Sequence, residues 1–233
     1  MKIQKDKVSV IMSVFNSENT ILSCINSILQ QTHSNFEFLI VDDASTDSTY
    51  SLLKSFESKD NRIKIYQNDS NIGLTKSLNF VSSFASGEYI ARQDADDISL
   101  VTRFERQIKV FSNKDIDSCN TRAITRNSTL ITPSLSYFLP FWLSMRFKNP
   151  FIHGSLMIRK TVFEELNKYD ENFYYAQDYK LMDSLIKNNY LPFILKEPLY
   201  ILNQKNNIST INKEEQQYYA KCVKNNQIPK SKL

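Results

Sequence analysis

Glycine is scarce in this sequence: only Gly73, Gly87 and Gly154 occur among 233 residues. Three dispersed glycines cannot write a G-x-G-x-x-G fingerprint or a phosphate-cradling P-loop, so nicotinamide-dinucleotide chemistry and P-loop ATP hydrolysis are excluded. A nucleotide bound here must have its phosphates held through a cation rather than a glycine-rich backbone. Cysteine is also scarce. Cys24, Cys119 and Cys222 are scattered and odd in number, with neither zinc spacing nor a disulfide framework, which fits a reducing cytosol. No apolar run approaches the ~20 residues that a spanning helix needs. The longest candidate, Leu135 to Phe147, is interrupted by Pro140 and reads as a buried or surface-lying amphipathic segment. The stretch Met1 to Lys7 is too polar for a signal peptide.

What is present describes a globular chain, with 41% apolar and 12% aromatic residues. The net charge of +4 is mildly basic, compatible with a phosphate-bearing ligand or an anionic membrane surface. The length predicts one domain over residues 1–233, long enough for a sizeable core.

The first hundred residues alternate strand and helix. Val8 to Val14 is nearly all apolar, as a strand buried on both faces should be. Asn16 or Ser17 is placed to cap the following helix, whose Ile21, Leu22, Ile25, Ile28 and Leu29 recur at helical spacing. Phe36 to Val41 is the second strand and ends at Asp42-Asp43, after which Thr46 or Asp47 can cap a second helix. Arg62 to Gln67, a helix over Leu74 to Phe84, and a strand over Glu88 to Arg92 complete the series. The repeat of about 25 residues is that of right-handed βαβ units in a parallel sheet. Such sheets bind ligands beyond the carboxyl ends of their strands, where Asn16, Asp42, Asp43 and the acidic run Asp94 to Asp97 all fall.

Asp94-Ala95-Asp96-Asp97 packs three carboxylates into four residues. On an extended backbone Asp94 and Asp96 share a face and Asp97 takes the other. Their mutual repulsion is relieved by a cation, and hard oxygen ligands suit Mg²⁺ or Mn²⁺; a solvated, Asp-rich turn is the alternative reading. The second half is less regular: a helix over Val101 to Phe111, short strands within Asp115 to Thr132, and a loop from Asn149 to Gly154. There follow a strand over Ser155 to Ile158, a short helix capped by Thr161, and an aromatic loop over Tyr169 to Ala176. A helix opens at Asp178, and the weakly helical tail from Asn212 ends in a basic stretch, Lys224 to Leu233, compatible with disorder.

Taken together, VSVIMSVFN, DDASTDST, NIGLTKSLN, ARQDADDIS, NPFIHGSLMIRK and YYAQDYKLM resemble, in order, the motifs of glycosyltransferase family 2, of the bacterial surface-polysaccharide type. The resemblance implies a GT-A fold: α/β, a Rossmann-like, mostly parallel sheet flanked by helices, with a less regular acceptor-side half. It divides the chain into a nucleotide-sugar-binding half (1–98), an acceptor-side half (99–211) and a tail (212–233). It implies a metal-dependent, inverting hexosyl- or N-acetylhexosaminyl-transferase that uses a UDP-sugar and a glycan or lipid-linked acceptor, with no nucleic-acid partner. Phe15, Asn16 and Asp42 would line the base and ribose pocket, Asp43 would meet the uracil, and Asp94 would lie near the ribose; by residue type alone, Arg92 and Lys76 are candidates for the diphosphate or else solvated charges. Asp96, with Asp97, would hold Mn²⁺ or Mg²⁺, and Asp178 would be the general base. Where related enzymes carry arginine and histidine after the last core strand, this sequence has Ile201 and Asn203, which leaves the third metal ligand open. That departure also keeps a second reading in view: a weak or inactive subunit of the same fold. A nucleotidyltransferase is disfavoured because Met12 to Asn16 contains no glycine. Basic termini and the aromatic segment around Trp142 predict a cytoplasmic protein attached peripherally to the membrane face.

Overall fold

The computed structural model describes residues 3–126, 130–203 and 212–230. A mixed sheet runs through it in the order β3-β2-β1-β4-β8-β6-β9-β5. The strands β1 (Gln4–Val14), β2 (Phe36–Asp42), β3 (Ile63–Gln67) and β4 (Gly87–Arg92) form its parallel half. Their connections are α1 (Ile21–Leu29), α2 (Thr49–Glu57) and α3 (Leu74–Ser82). The expected βαβ series is therefore present with its predicted elements in order.

The second half adds β5 (Ile98–Ser99), α4 (Arg103–Val110), β6 (Ile116–Thr125) and β7 (Ile131–Thr132). Beyond a 3₁₀ turn at Leu135–Phe138 come α5 (Phe141–Phe147), β8 (Met157–Arg159), α6 (Lys160–Glu165), α7 (Gln177–Lys187), β9 (Leu191–Leu202) and α8 (Lys213–Lys224). Here β8 pairs antiparallel to both β4 and β6, so polarity reverses where the parallel half ends. The weak pattern after Asn212 is a regular helix, α8. The expected basic end of the tail lies partly outside the described residues, at 231–233.

Alternation along β1 explains the two-sided core. Val8, Val10, Met12 and Val14 join one apolar cluster with α1, while Ile11 faces a second cluster holding Leu78 of α3 and Leu185 of α7. Each full burial of such a side chain contributes about 1.5–3 kcal/mol. Helix starts differ from expectation. No side-chain cap closes α1 at Asn16 or Ser17; the helix begins one turn later, after Thr20. Asp47 does bind the α2 entry, its Oδ1 accepting from Thr49 N at 2.9 Å. Thr161 falls inside α6, which begins at Lys160 directly after β8. The cap position falls instead on Arg159, the last residue of β8, whose side chain makes no cap hydrogen bond.

Candidate functional site

At the carboxyl end of β1, Asn16 adopts φ 47 and its side-chain oxygen accepts from Thr46 N at 2.8 Å. This ties the β1–α1 turn to the β2–α2 turn and leaves Phe15 exposed at the edge, at 46%. Asn and Asp tolerate the left-handed region, which explains the residue chosen there.

Asp42 and Asp43 end β2 and are both buried. Asp43 organises the neighbouring loop: its Oδ1 accepts from Asn68 Nδ2 (2.8 Å) and Ile72 N (2.9 Å), and its Oδ2 from Gly73 N (2.9 Å). A carboxylate accepts about four hydrogen bonds, so one acceptor position remains on Oδ2 for a single donor. Gly73 has φ 87, a conformation that costs side-chain-bearing residues energy, and the Tyr174 ring covers the space a Cβ would take. Asp42 Oδ2 accepts from Ser45 N (3.2 Å) and Gln67 Nε2 (3.3 Å), whereas its Oδ1 is buried without a hydrogen-bond partner.

The acidic loop after β4 is held from behind. Gln93 Nε2 donates to the carbonyls of Asp94 and Asp97, at 3.0 Å each. The guanidinium of Arg103 is fully buried among neutral acceptors: Gln93 Oε1 (3.0 Å), Ser99 Oγ (2.6 Å), Gln107 Oε1 (3.1 Å) and the Arg92 carbonyl (2.6 Å). Burial lowers it to about 10, yet it stays charged at neutral pH. Arg92 lies inward as well, 1% exposed, ion-paired with Asp94 and donating to the Ile11 and Gln93 carbonyls. Its Nε also donates to His153 Nε2 at 3.4 Å, while the Tyr169 hydroxyl lies 2.8 Å from the same nitrogen. An arginine N–H can only donate, so Nε2 is the acceptor and the neutral ring carries its proton on Nδ1. Burial, helped by the Arg92 charge, pulls His153 down to about 4.

Asp94 Oδ2 faces Gly154, where an added Cβ would approach it to 2.7 Å and collide with the Tyr200 hydroxyl. The Asp94 backbone N–H donates to that hydroxyl at 3.2 Å. Asp96 is pushed up to about 6 by burial and by the Asp94 charge. Asp97 is raised by burial and by both neighbouring carboxylates, and its Oδ1 accepts from Asn203 N at 2.7 Å. The loop therefore carries more negative charge than its surroundings compensate. Among the described residues no three acidic, histidine or cysteine side chains close on a point by themselves. Hard oxygens from one or two carboxylates, with room left for ligand phosphates, fit Mg²⁺ or Mn²⁺, which typically bind that way.

Asp178 enters from the other half of the chain, in the first turn of α7. Its Oδ2 accepts from Asn149 Nδ2 at 2.9 Å. The loop from Asn149 to Gly154 joins the acidic loop to the α7 start, since Asn149 holds Asp178 and His153 accepts from Arg92, the ion-pair partner of Asp94. Asp42 and Asp43 sit at the adjoining strand end, linked to the α7 approach through Tyr174 on Gly73. Sequence reasoning did not single out Asn149, Arg103 or Tyr200. The only signal for Asn149 was its place in the NPFIHG loop, and a helix-borne arginine such as Arg103 reads as a surface charge.

Residues 9–167 match the family model described as Glycosyl transferase family 2. The chain is 37% identical over 170 residues to EpsE of Bacillus subtilis, named as a glycosyltransferase, covering 70% of this chain and 60% of EpsE. It is 32% identical over 188 residues to WfgD of Escherichia coli, covering 78% and 70%; that protein is named a UDP-Glc:alpha-D-GlcNAc-diphosphoundecaprenol beta-1,3-glucosyltransferase. Among solved structures, residues 1–349 of S. aureus TarS in complex with UDP-GlcNAc align with a TM-score of 0.73 at 21% identity, over 86% of this chain and 59% of that one. The mannosyltransferase PcManGT of Pyrobaculum calidifontis, in complex with GDP-Man and Mn²⁺, aligns with a TM-score of 0.74 at 17% identity, over 95% and 65%. At these identities the likeness is one of fold, the GT-A fold. The chain spans about three fifths of EpsE and of the TarS chain.

Proposed function

Because this chain belongs to glycosyl transferase family 2, we propose that it is a metal-dependent, inverting transferase that moves a sugar from a UDP-sugar to a glycan or lipid-linked acceptor in surface-polysaccharide synthesis. The observation that carries this reading is that Asp94 and Asp178, 84 positions apart in sequence, are joined to one short loop: Arg92, ion-paired with Asp94, donates to His153, and Asn149 donates to Asp178. An acidic loop suited to a diphosphate-bound cation and a separate carboxylate at a helix start are what direct displacement requires on opposite sides of the donor. WfgD, by its name, uses UDP-Glc and a diphosphoundecaprenol acceptor, which supports both the donor class and a lipid-linked acceptor.

On this reading Phe15 stacks on the base, with Asn16 and Asp42 shaping the pocket. The remaining acceptor position of Asp43 takes an N–H of the uracil. Asp94 lies by the ribose, and Arg92, spent on Asp94, serves the diphosphate by fixing that carboxylate. Asp96, with Asp97, would hold Mn²⁺ or Mg²⁺; the cation, when bound, neutralises charge on the leaving diphosphate. Asp178 takes the proton of the acceptor hydroxyl as its oxygen bonds to the anomeric carbon and the bond to the nucleoside diphosphate breaks. Asn149 holds one carboxylate oxygen and leaves the other to accept. The halves 1–98 and 99–211 then correspond to donor and acceptor sides, and 212–233 to an appended tail.

No described helix is long and apolar enough to cross a membrane. We place the protein in the cytoplasm, attached peripherally to the membrane face where lipid-linked acceptors lie. The test is UDP release with Mn²⁺ across a panel of UDP-sugars and membrane-extracted acceptors. Turnover with one donor supports the proposal. Donor binding without turnover on any acceptor favours a non-catalytic subunit.

A further inference from the structure

The Leu135–Phe147 segment is the most exposed apolar surface described in the molecule. Leu135 is 81% exposed, Phe138 76%, Trp142 61% and Phe147 73%, while Ser144 and Met145 turn inward and anchor α5. The Tyr179 hydroxyl fixes α5 further by donating to the Met145 carbonyl. Large apolar side chains grouped on one short segment mark an interaction surface rather than ordinary solvent-facing residues.

Charge says what covers it. From Ser118 to Phe163 the sequence contains no Asp or Glu, while Arg122, Arg126, Arg146 and Lys148 lie within that stretch. Arg146 sits over the Trp142 ring, 6.0 Å from its centroid, and Lys224 of α8 reaches in to donate to the Phe147 carbonyl at 3.2 Å. Tryptophan and phenylalanine beside lysine and arginine, on a stretch that itself carries no acidic residue, suit the interface of an anionic bilayer.

We propose that the Leu135–Phe147 surface docks the protein on anionic phospholipid, with Leu135, Phe138, Trp142 and Phe147 entering the headgroup–acyl boundary and Arg146 and Lys148 meeting lipid phosphates. This deepens the peripheral attachment proposed above and rests on that reading. It also fixes an orientation. Asn149 directly follows the patch and holds Asp178, so the proposed base stands beside the lipid surface, where an acceptor on a lipid carrier presents its sugar.

Trp142 is the single tryptophan of the chain, so its fluorescence reports on this patch alone. The experiment titrates the full chain, without donor or acceptor, with vesicles of equimolar phosphatidylglycerol and phosphatidylcholine, or of phosphatidylcholine alone, at low and high salt. The expected result is a blue shift of Trp142 emission with the anionic vesicles only, reversed by salt. The double variant Leu135→Ser/Phe138→Ser should bind those vesicles about ten-fold more weakly or worse, given the apolar area removed. The charge-reversal pair Arg146→Glu/Lys148→Glu, which leaves the apolar side chains in place, should lose binding likewise. Absence of any shift with anionic vesicles at low salt overturns the proposal. So does a lipid-independent blue shift that tracks a doubling of mass with concentration, which assigns the surface to a second copy. Vesicle binding is read without turnover, so its failure leaves the transferase reading standing, and a missing transferase activity leaves this result standing.

Discussion

The side-chain amide of Asn149 donates to Asp178 Oδ2 over 2.9 Å, linking the loop after α5 to the start of α7. With one oxygen held, the proposed function leaves the other to take the acceptor proton. Asp178→Asn should therefore keep donor affinity and lose ~10²–10⁴-fold in transfer rate. Asn149→Ala should leave KM for donor unchanged and lower kcat by roughly ten-fold or more, because the carboxylate loses its orientation. Asn149→Ala with unaltered kcat would show that the contact is structural only.

Asp43 carries three hydrogen bonds to Asn68, Ile72 and Gly73. Asp43→Ala leaves the buried Gly73 N–H and the partly buried Ile72 N–H without their acceptor, a loss on the order of 1–3 kcal/mol. The urea midpoint should fall accordingly, and nucleotide affinity with it. A midpoint within error of the wild type contradicts the placement of Asp43 as the fastener of that turn.

The acidic loop predicts a stability gain from a damaging substitution. Burial and the crowded charges raise the proton affinity of Asp96, beside Asp94, and of Asp97, beside Asp94 and Asp96. Asp96→Asn should raise Tm in metal-free buffer while abolishing the further rise that Mn²⁺ with UDP gives the wild type. An unchanged response to Mn²⁺ and UDP in this variant removes Asp96 from the metal site.

His153 gives a pH dependence with a definite sign. Its folded value of about 4 lies below the ordinary 6.5. Between these values the unfolded chain binds a proton that the folded chain does not, so stability falls as pH drops from about 6.5 toward 4. Asp96, raised to about 6, works in the opposite sense, so the comparison must be made against a variant. His153→Asn should lose stability less steeply than the wild type through that window in denaturant titrations. Parallel curves would mean that His153 is protonated in the folded protein.

Much of this was legible in the sequence for a physical reason. Buried parallel strands such as Val8–Val14 need continuous apolar runs, and the β2 and β4 ends are marked where those runs give way to polar residues, Asp42-Asp43 and Arg92 to Asp94. Less legible was what each polar group faces. Arg92 carries the same charge whether it meets a diphosphate or turns inward to Asp94, and only the packing distinguishes the two. Arg103 lies on α4 among spacings that read as amphipathic, yet its guanidinium is buried because Gln93 after β4, Ser99 of β5 and Gln107 one turn along α4 offer neutral acceptors. Asn16 and Thr161 were read as caps from residue type, but the turn linking β1 to β2 and the direct β8–α6 junction gave them other roles. Ligand identity at Asn203 was open in the sequence; its backbone N–H is committed to Asp97.

On the proposed function this sheet edge binds a nucleoside diphosphate through a divalent cation. Calorimetric titration of UDP into the protein tests it without knowledge of the acceptor. With Mn²⁺ present the account predicts saturable binding of UDP that disappears in EDTA and in Asp96→Ala. UDP affinity that is the same in Mn²⁺ and in EDTA, or no UDP binding in either, contradicts it.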